Sequence, residues 1–351
     1  MEIRLLDKEY ESEYNDFLLK CNKTIFTASN KFRELLKTFI NCNDYYLIAL
    51  SEKKIVGVLP CFIKNNPKYG NVLNSLPYYG SSGAIIEHEG NERVKESLLD
   101  AMKSLCSEHS CVASTIVTSP FEKAFSFYQY LQYDFIDSRR GLINYLPKSD
   151  LDVDEGLMLM YTSVRRNNIR KARKSNIEVK VDNSKPSFDF LYETHFDNMT
   201  IIGGKPKEKS FFDAVLTLFQ PGEDYDIYTA VYEGIRVAAM LVFYFNKTVE
   251  YFTPVVVSEY RTYNPLNLVI HIAMVDAAKR GYKHFNWGGT GVTQESLYKF
   301  KSQFGAVEHV YYYYSNIYDN SILSLTKDKI LEEYVDFFVY PFNQLQTSKE
   351  E

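Results

Sequence analysis

The stretch "NWGGTGVTQESLYKFKSQFGA", Asn286 to Ala306, runs from a strand-like start through a glycine-rich bend into a short helix holding Lys299 and Lys301. On a helix from about Ser296 to Phe304, each residue advances about 100°. Leu297, Phe300 and Phe304 then fall within about 60° of one another and form an apolar stripe. Lys301 lies about 40° from Leu297, on the shoulder of that stripe, while Lys299 points roughly the other way, toward solvent. Of the two, Lys301 can lay its stem along apolar surface and carry its ammonium into a cleft. The bend before it, with Gly288, Gly289 and Thr290, permits close backbone approach to a ligand and leaves N–H groups near the helix start. A cation held partly dry beside such a bend suits chemistry in which a bound group gathers negative charge. The competing reading is a snorkelling surface lysine after a plain flexible turn. Tyr298, on the same short helix, joins the glycines and Thr290 as a residue expected to contact a substrate.

Other stretches could bind rather than react. "RRNNIRKARK", Arg165 to Lys174, places six cations in ten residues. It reads either as a solvated helical face or as a phosphate-binding surface in which Arg165, Arg166 and Arg170 take part. "SLPYYGSSGA", Ser75 to Ala84, could line a groove with Tyr78 and Tyr79, or simply turn at a strand edge. The histidines show no metal-ligand spacing, so no metal is expected. No His–Asp or Glu pair stands at a suggestive spacing, and no general base is named.

The elements that must position these residues occur twice. "DYYLIALSEKKIVGVLPCFI" reads as strand, tight turn, strand, and "YDIYTAVYEGIRVAAMLVFYF" repeats that grammar from Tyr225 to Phe245. Ala49 precedes Gly57 by eight residues, and Ala230 precedes Ala238 by eight. Each hairpin leads to a further strand ("GSSGAII", "TVEYFTPVVV"), then a helix ("ERVKESLLDAMKSLCSEH", "NPLNLVIHIAMVDAAKR"). Next come a strand ("CVASTIVTS", "YKHFNWG") and a short helix ("FEKAFSFYQYL", "QESLYKFKSQF"). A closing strand follows in each half, "GLINYLP" and "HVYYYYSNIY". The same order twice points to a tandem duplication. The second long helix has Asn264 as N-cap, Pro265 at its first position and Gly281 after its end. The acidic, breaker-rich "PKSDLDVDEG" is the expected linker. The domains are expected at 1–147 and 148–319, with a tail, 320–351, that begins as an amphipathic helix and packs back on the first. Its last residues are expected to be disordered.

Composition bounds the function. A chain of 351 residues with 45% apolar and 24% charged residues has core enough for two globular units of α/β character, with mixed sheets. A formal charge of −5 argues against a general nucleic-acid coat but leaves room for one basic patch. The 29 tyrosines suit packed sheets, or a groove for a sugar or nucleotide. Five cysteines without a CxxC pair form neither a disulfide framework nor a zinc module and fit free thiols in a reducing compartment. The charged amino terminus lacks the apolar core of a signal peptide, and no apolar run reaches the ~20 residues of a membrane span. A cytoplasmic protein is expected.

"SLYKFKSQFG" after a strand ending in "GG" resembles the Leu-Tyr-x-Phe-Lys-x-x-Phe signature of the Fem-type (FemABX-like) peptidyl and aminoacyl transferases. "SVRRNNIRKARKSNIEV" is similar to the family's basic helix, and the likeness extends through "EYRTYNPLNLVIHIAMVDAAKRGYKHFNWGG", covering most of Tyr161 to Asn316. The resemblance implies two tandem GNAT-like domains, without the long coiled-coil arm of some members. It implies that Lys301 stabilises the charge developing on an acyl carbonyl, a donor role typically worth about 3–4 kcal/mol. Proton transfer from the attacking amine would then be substrate-assisted. Where compact members carry an arginine that holds the acceptor's diphosphate, "GGKPKEKSFF" offers Lys205 or Lys207, a point charge in place of a fork. In the stretch that would hold a coenzyme A pyrophosphate, "RTYNPL", Asn264 and Leu266 replace glycines and Pro265 removes an N–H. This favours aminoacyl-tRNA over acyl-CoA as donor co-substrate, with no resident cofactor.

The expected function is an N-acyltransferase that moves an aminoacyl or acyl group onto an amine of a nucleotide-linked or lipid-linked cell-envelope precursor. The alternatives are an atypical acyl-CoA-dependent N-acetyltransferase acting on an amino sugar in surface polysaccharide synthesis, and a non-catalytic RNA- or nucleotide-binding module. Partners are therefore such a precursor and tRNA, with no DNA and no membrane span.

Overall fold

The computed structural model describes the chain except residues 23, 79, 82, 84, 87–90, 123–131, 149–151, 342–343 and 345–351. It divides into two compact units, residues 1–139 with 310–351, and residues 140–309. The short helix expected over "FEKAFSFYQYL" and the expected disorder at the carboxyl end fall mainly outside the described residues.

The first unit begins with β1 (Glu2–Leu5), α1 (Glu11–Lys20), α2 (Asn30–Phe39) and β2 (Asn43–Asp44). It continues through β3 (Leu47–Ser51), β4 (Lys54–Leu59), β5 (Phe62–Lys64), β6 (Asn71–Asn74), β7 (Ile85–Ile86), α3 (Glu92–Glu108) and β8 (Cys111–Val117). β1, β3, β4 and β7 are neighbours in one antiparallel sheet. Helix α3 covers β3 and β4 with Val94, Leu98 and Met102, burying them against Leu47 and Ala49. Ala49 and Gly57 are cross-strand partners, followed at once by a bulge. A Cβ on Gly57 would come within 2.5 Å of Val94, so the small pair is what lets the helix approach. The carboxyl-terminal segment returns to this unit. Asn74 bonds the main chain of Phe338 in both directions, at 2.7 and 2.8 Å, and Tyr334 donates to the Gly70 carbonyl at 2.8 Å.

β9 (Phe135–Tyr145) enters the second unit at Arg140. Then follow α4 (Val153–Met160), α5 (Ser163–Lys174), β10 (Glu178–Val181), α6 (Lys185–Ile201), α7 (Lys209–Leu218), β11 (Tyr225–Tyr232) and β12 (Ile235–Phe245). The unit is completed by β13 (Thr248–Val256), α8 (Pro265–Lys279), β14 (His284–Thr290) and α9 (Glu295–Ser302). β15 (Val307–Ile317) and α10 (Lys327–Glu333) lead back into the first unit. The sheet order is β10-β11-β12-β13-β14-β9, antiparallel except for β13 and β14. A parallel pair needs a crossover, and α8 supplies it, burying Leu268, Val269 and Ala273 on the sheet. β12, buried on both faces from Val237 to Tyr244, is the central strand. Here too the repeated small residues, Ala230 and Ala238, are cross-strand partners immediately before a bulge. Mixed sheets carrying helices give the α/β class expected from the alternating elements.

Three local expectations change. "GLINYLP" supplies an edge of the second unit's sheet, since Gly141 to Tyr145 pair with β14, whereas Tyr313 to Ile317 pair with β8 in the first unit. The two compact units divide at 139/140 and 309/310. In the linker, Asp152 caps α4 by accepting from the Glu155 N–H at 3.1 Å, so "VDEG" is a helical first turn. Asn264 is not a side-chain cap: its backbone is left-handed (φ 60°), and its Oδ1 accepts from the Asn267 amide at 3.2 Å.

Gly305, just after α9, has φ +74°, and an added Cβ would sit 2.6 Å from the Met160 carbonyl oxygen. Gly234, φ +81°, has open space around it. Gly305→Ala is expected to cost about 2–4 kcal/mol and Gly234→Ala about 1 kcal/mol, since only the first adds a clash to the strain. Thermal and urea melts of the two variants check this; equal losses would contradict the packing at Gly305.

Candidate active site

The parallel ladder between β13 and β14 is short. Thr248, Val249 and Glu250 pair with His284, Phe285 and Asn286, and there the pairing ends while β13 continues along β12 to Val256. On its other side β14 shifts register against β9 between Asn286 and Gly289. The strand is thus displaced where the two sheet neighbours part, and Trp287 to Gly289 form the bend. Gly288 takes φ +68°, a conformation that makes glycine the fitting residue. Trp287 anchors the bend: it is 1% exposed and donates from Nε1 to the Asn144 side chain at 2.7 Å. Asn144 in turn donates to the Phe304 carbonyl at 2.7 Å, tying β9 to the end of α9.

Lys301 is the buried residue of α9, at 4% exposure. Its Nζ donates to the Trp287 carbonyl at 2.9 Å, the Thr290 hydroxyl at 3.1 Å and the Gly289 carbonyl at 3.4 Å. Among the described residues no carboxylate pairs with it, and burial pushes its pKa down to about 8. The ammonium therefore closes on the bend and does not project into solvent, while Lys299 is exposed. The apolar stripe is narrower than the helical wheel suggests. Leu297 is exposed, and the helix rests on Tyr298 and Phe300, with Phe304 just beyond its end.

The glycine bend is not an open amide cradle. The Gly288 N–H goes to the Asn286 side chain at 3.1 Å and the Gly291 N–H to Gln294 at 2.9 Å. Gly289 and Thr290 pair with Gly141 and Arg140 in the strand ladder, and Thr290 is fully buried. Tyr298 is half-buried beneath the Arg140 guanidinium, 3.2 Å from its ring centroid; Arg140 also bonds Glu295 and Glu308.

The basic helix divides in the same way. Arg165 is turned inward, 3% exposed, and is no surface phosphate ligand. It bonds the Asn267 side chain, the Phe300 carbonyl at 3.1 Å and Gln303 at 2.9 Å, between the rings of Phe300 and Phe304 at 4.4 Å each. Burial lowers its pKa to about 10. Arg166 is half-buried and bonds the Tyr161 carbonyl, whereas Arg170 is exposed. Lys205 is exposed. Lys207 is half-buried over the Phe252 ring at 5.4 Å, its pKa pushed down to about 8 by burial. The Lys207 N–H donates to His195 Nε2 at 3.0 Å, and burial then Lys207 lower that histidine to about 4. Tyr78 belongs to the first unit, packed edge-on against Phe39 with its N–H on the Asp336 carbonyl. Tyr79 lies outside the described residues.

Glu250 was not singled out from the sequence. It is 6% exposed, stands at the last rung of the β13–β14 ladder, and accepts from the Asn286 amide at 2.8 Å. Asn286 thus connects Glu250 to the Gly288 N–H and hence to the bend that Lys301 closes. Glu250 pairs across the ladder with Phe243, whose ring meets that of Phe252, the ring under Lys207. The signal was available: a single carboxylate inside the apolar run "TVEYFTPVVV" is unusual for a buried strand.

A crystal structure of FemX matches with a TM-score of 0.73 at 14% identity, over 96% of this chain and 100% of that one. The fold is that of FemX and the tandem GNAT proteins. The carboxyl-terminal domain of a putative lysylphosphatidylglycerol synthetase from Agrobacterium fabrum matches at TM-score 0.60 and 12% identity, over 92% of this chain and 96% of that one. A tandem GNAT protein from the clavulanic acid biosynthesis pathway matches at 0.53 and 11%, over 90% and 98%. By sequence, residues 163–302 match a family described as an acetyltransferase (GNAT) domain, and no curated protein matches. The matched segment opens with the first residue of α5 and closes with the last of α9, so it contains the bend after the β13–β14 ladder, Glu250, Lys207 and Lys301.

Lys301 has a pKa depressed from its ordinary 10.5 to about 8, so between those values the unfolded chain binds more protons than the folded one. Its destabilising share is full below about pH 8 and is relieved as pH rises toward 10.5. Carbon-13 NMR of labelled lysine side chains is expected to show two resonances that titrate near pH 8, one absent in Lys301→Met and the other that of Lys207. A midpoint above 10 for the Lys301 resonance would contradict a dry ammonium.

Proposed function

We propose that the protein is an N-acyltransferase that moves an aminoacyl or acyl group from an activated donor onto an amine of a cell-envelope precursor. The observation that carries the proposal is the Lys301 ammonium, buried with no carboxylate bonded to it among the described residues and held by neutral oxygens at the point where β13 and β14 part. Attack of an amine on an ester or thioester carbonyl makes a tetrahedral oxyanion. A cation compensated only by dipoles keeps its net charge and attracts that oxygen in a poorly screened site. The 3.4 Å contact to Gly289 is the longest of the three and the one an incoming oxyanion would replace. Glu250 is the carboxylate suited to receive the amine's proton, directly or through a water, in place of a purely substrate-assisted route.

For the acceptor, Lys207 and the exposed Lys205 are the cations at the position where the resemblance places a phosphate ligand. For the donor, the likeness in fold to a lysylphosphatidylglycerol synthetase domain favours an aminoacyl group, and the exposed cations of α5 around Arg170 suit an RNA backbone. An acyl-CoA donor is the alternative, favoured by the GNAT match of residues 163–302.

The test is transfer of a labelled group from aminoacyl-tRNA or acyl-CoA onto nucleotide-linked amino sugars and peptides, followed by mass spectrometry. Lys301→Met is expected to lower kcat about a hundredfold or more while Lys299→Met stays near wild type. Glu250→Gln is expected to lose at least about a hundredfold, with a flattened acid limb in the pH–rate profile. Equal activity of the two lysine variants would remove the catalytic assignment.

A further inference from the structure

The second unit holds a cavity of about 530 Å³ that the acyl-transfer reading does not use. It is a half-open pocket bordered by the end of α5, the start of β10, the β11–β12 turn and the 3-10 turn ahead of α8. Asn176, Glu178, Tyr232, Glu233 and Tyr263 supply its side chains. The rings of Tyr232 and Tyr263 stack at 5.1 Å with planes 27° apart, and Tyr260 lies 5.9 Å from Tyr232. Among the described residues neither Glu178 nor Glu233 meets a cation. The neighbouring guanidiniums are committed elsewhere, Arg173 to Asp154 and Arg236 to Asp182.

The turn itself carries a second sign of purpose. Tyr232 and Ile235 are partners, so Glu233 and Gly234 form a two-residue hairpin loop, with φ +51° and +81°. Such a loop prefers Asn-Gly, because a left-handed first residue crowds most side chains. Glutamate stands there against that preference and puts its carboxylate on the cavity wall. The carboxyl end of α5 borders the same space, with Lys171, Arg173 and Lys174 in its last turn offsetting the partial negative charge of that end. Aromatic faces and two carboxylates that meet no cation among the described residues attract positive charge.

We propose that this cavity binds a small organic cation, an ammonium carrying methyl or methylene bulk, with Tyr232 and Tyr263 as its π faces and Glu178 and Glu233 as its counter-charges. The site stands independently of the acyl-transfer reading. Choline and its neutral isostere 3,3-dimethylbutan-1-ol are the probes, titrated at constant ionic strength into the labelled full-length chain. Choline is expected to shift the Asn176 and Gly234 amide signals saturably, with Kd on the order of 1–10 mM, and the isostere is expected not to. The double variant Glu178→Gln, Glu233→Gln is expected to weaken choline at least about fivefold with its core amide signals unmoved, and Tyr263→Leu to weaken it as well. Equal shifts from the neutral isostere, a non-saturating choline titration, or wild-type affinity in the double variant would each overturn the site.

Discussion

A lysine ammonium bonded to two peptide carbonyls and a hydroxyl is the contact on which the second unit's site depends. Removing an ammonium from water costs several kcal/mol, and each hydrogen bond to a charged group returns about 1.5–3 kcal/mol. Three acceptors can therefore hold Lys301 in place without a counter-ion, provided that they are fixed. Trp287, wedged by Asn144, fixes the first; the left-handed Gly288 turns the chain so that Gly289 can offer the second; the ladder to Arg140 seats Thr290. A carboxylate in their place would have satisfied the same ammonium and cancelled its field. Dipoles satisfy it and leave the field intact.

Arg165 repeats that arrangement one turn away. It too is buried, bonded to amide and carbonyl oxygens, and flanked by aromatic rings. It grips the Phe300 carbonyl and Gln303 on either side of Lys301 in sequence, and joins α5 and the first turn of α8 to α9. An eight-residue helix that buries only Lys301 among its own residues has little apolar contact to hold it. Its orientation comes from these polar ties and from Phe304 behind it. The nearby carboxylate, Glu250, is set on a strand and not on the helix, and is linked to the bend through Asn286.

Much of the architecture was legible because it obeys local rules. The eight-residue spacing of small residues survived as two cross-strand pairs, each next to a bulge, and Pro265 and Gly281 do bracket α8. Strand membership was not legible: "GLINYLP" and "HVYYYYSNIY" read alike as closing strands, and only hydrogen-bond partners reveal which sheet each completes. At the site, helical angles separated Lys301 from Lys299 but could not foresee that Leu297 would be exposed. Periodicity reports a helix face, not how much of that face meets a neighbour. Arg165 read as one member of a basic run because sequence cannot say which cation of such a run turns inward. Ile169 and Ala172, both fully buried, mark the inward face of α5 on which Arg165 lies.

The start of α8 bears on what can occupy the site. A helix amino terminus binds phosphate when its first N–H groups are free and its approach is glycine-lined. Here Pro265 lacks that N–H, the Asn267 N–H is taken by the Asn264 carbonyl at 3.1 Å, and the Asn267 side chain serves Arg165 and Asn264. Tyr263, the residue immediately before Asn264, lines a cavity whose charged side chains are carboxylates. The amino end of the long helix therefore offers no free amide cradle, and the buried or half-buried lysines of this unit lie elsewhere, Lys301 at the bend and Lys207 over Phe252. A donor that needed its diphosphate held at α8 would have to displace the chain's own hydrogen bonds first. A donor that carries its phosphates along an RNA backbone would meet no such demand.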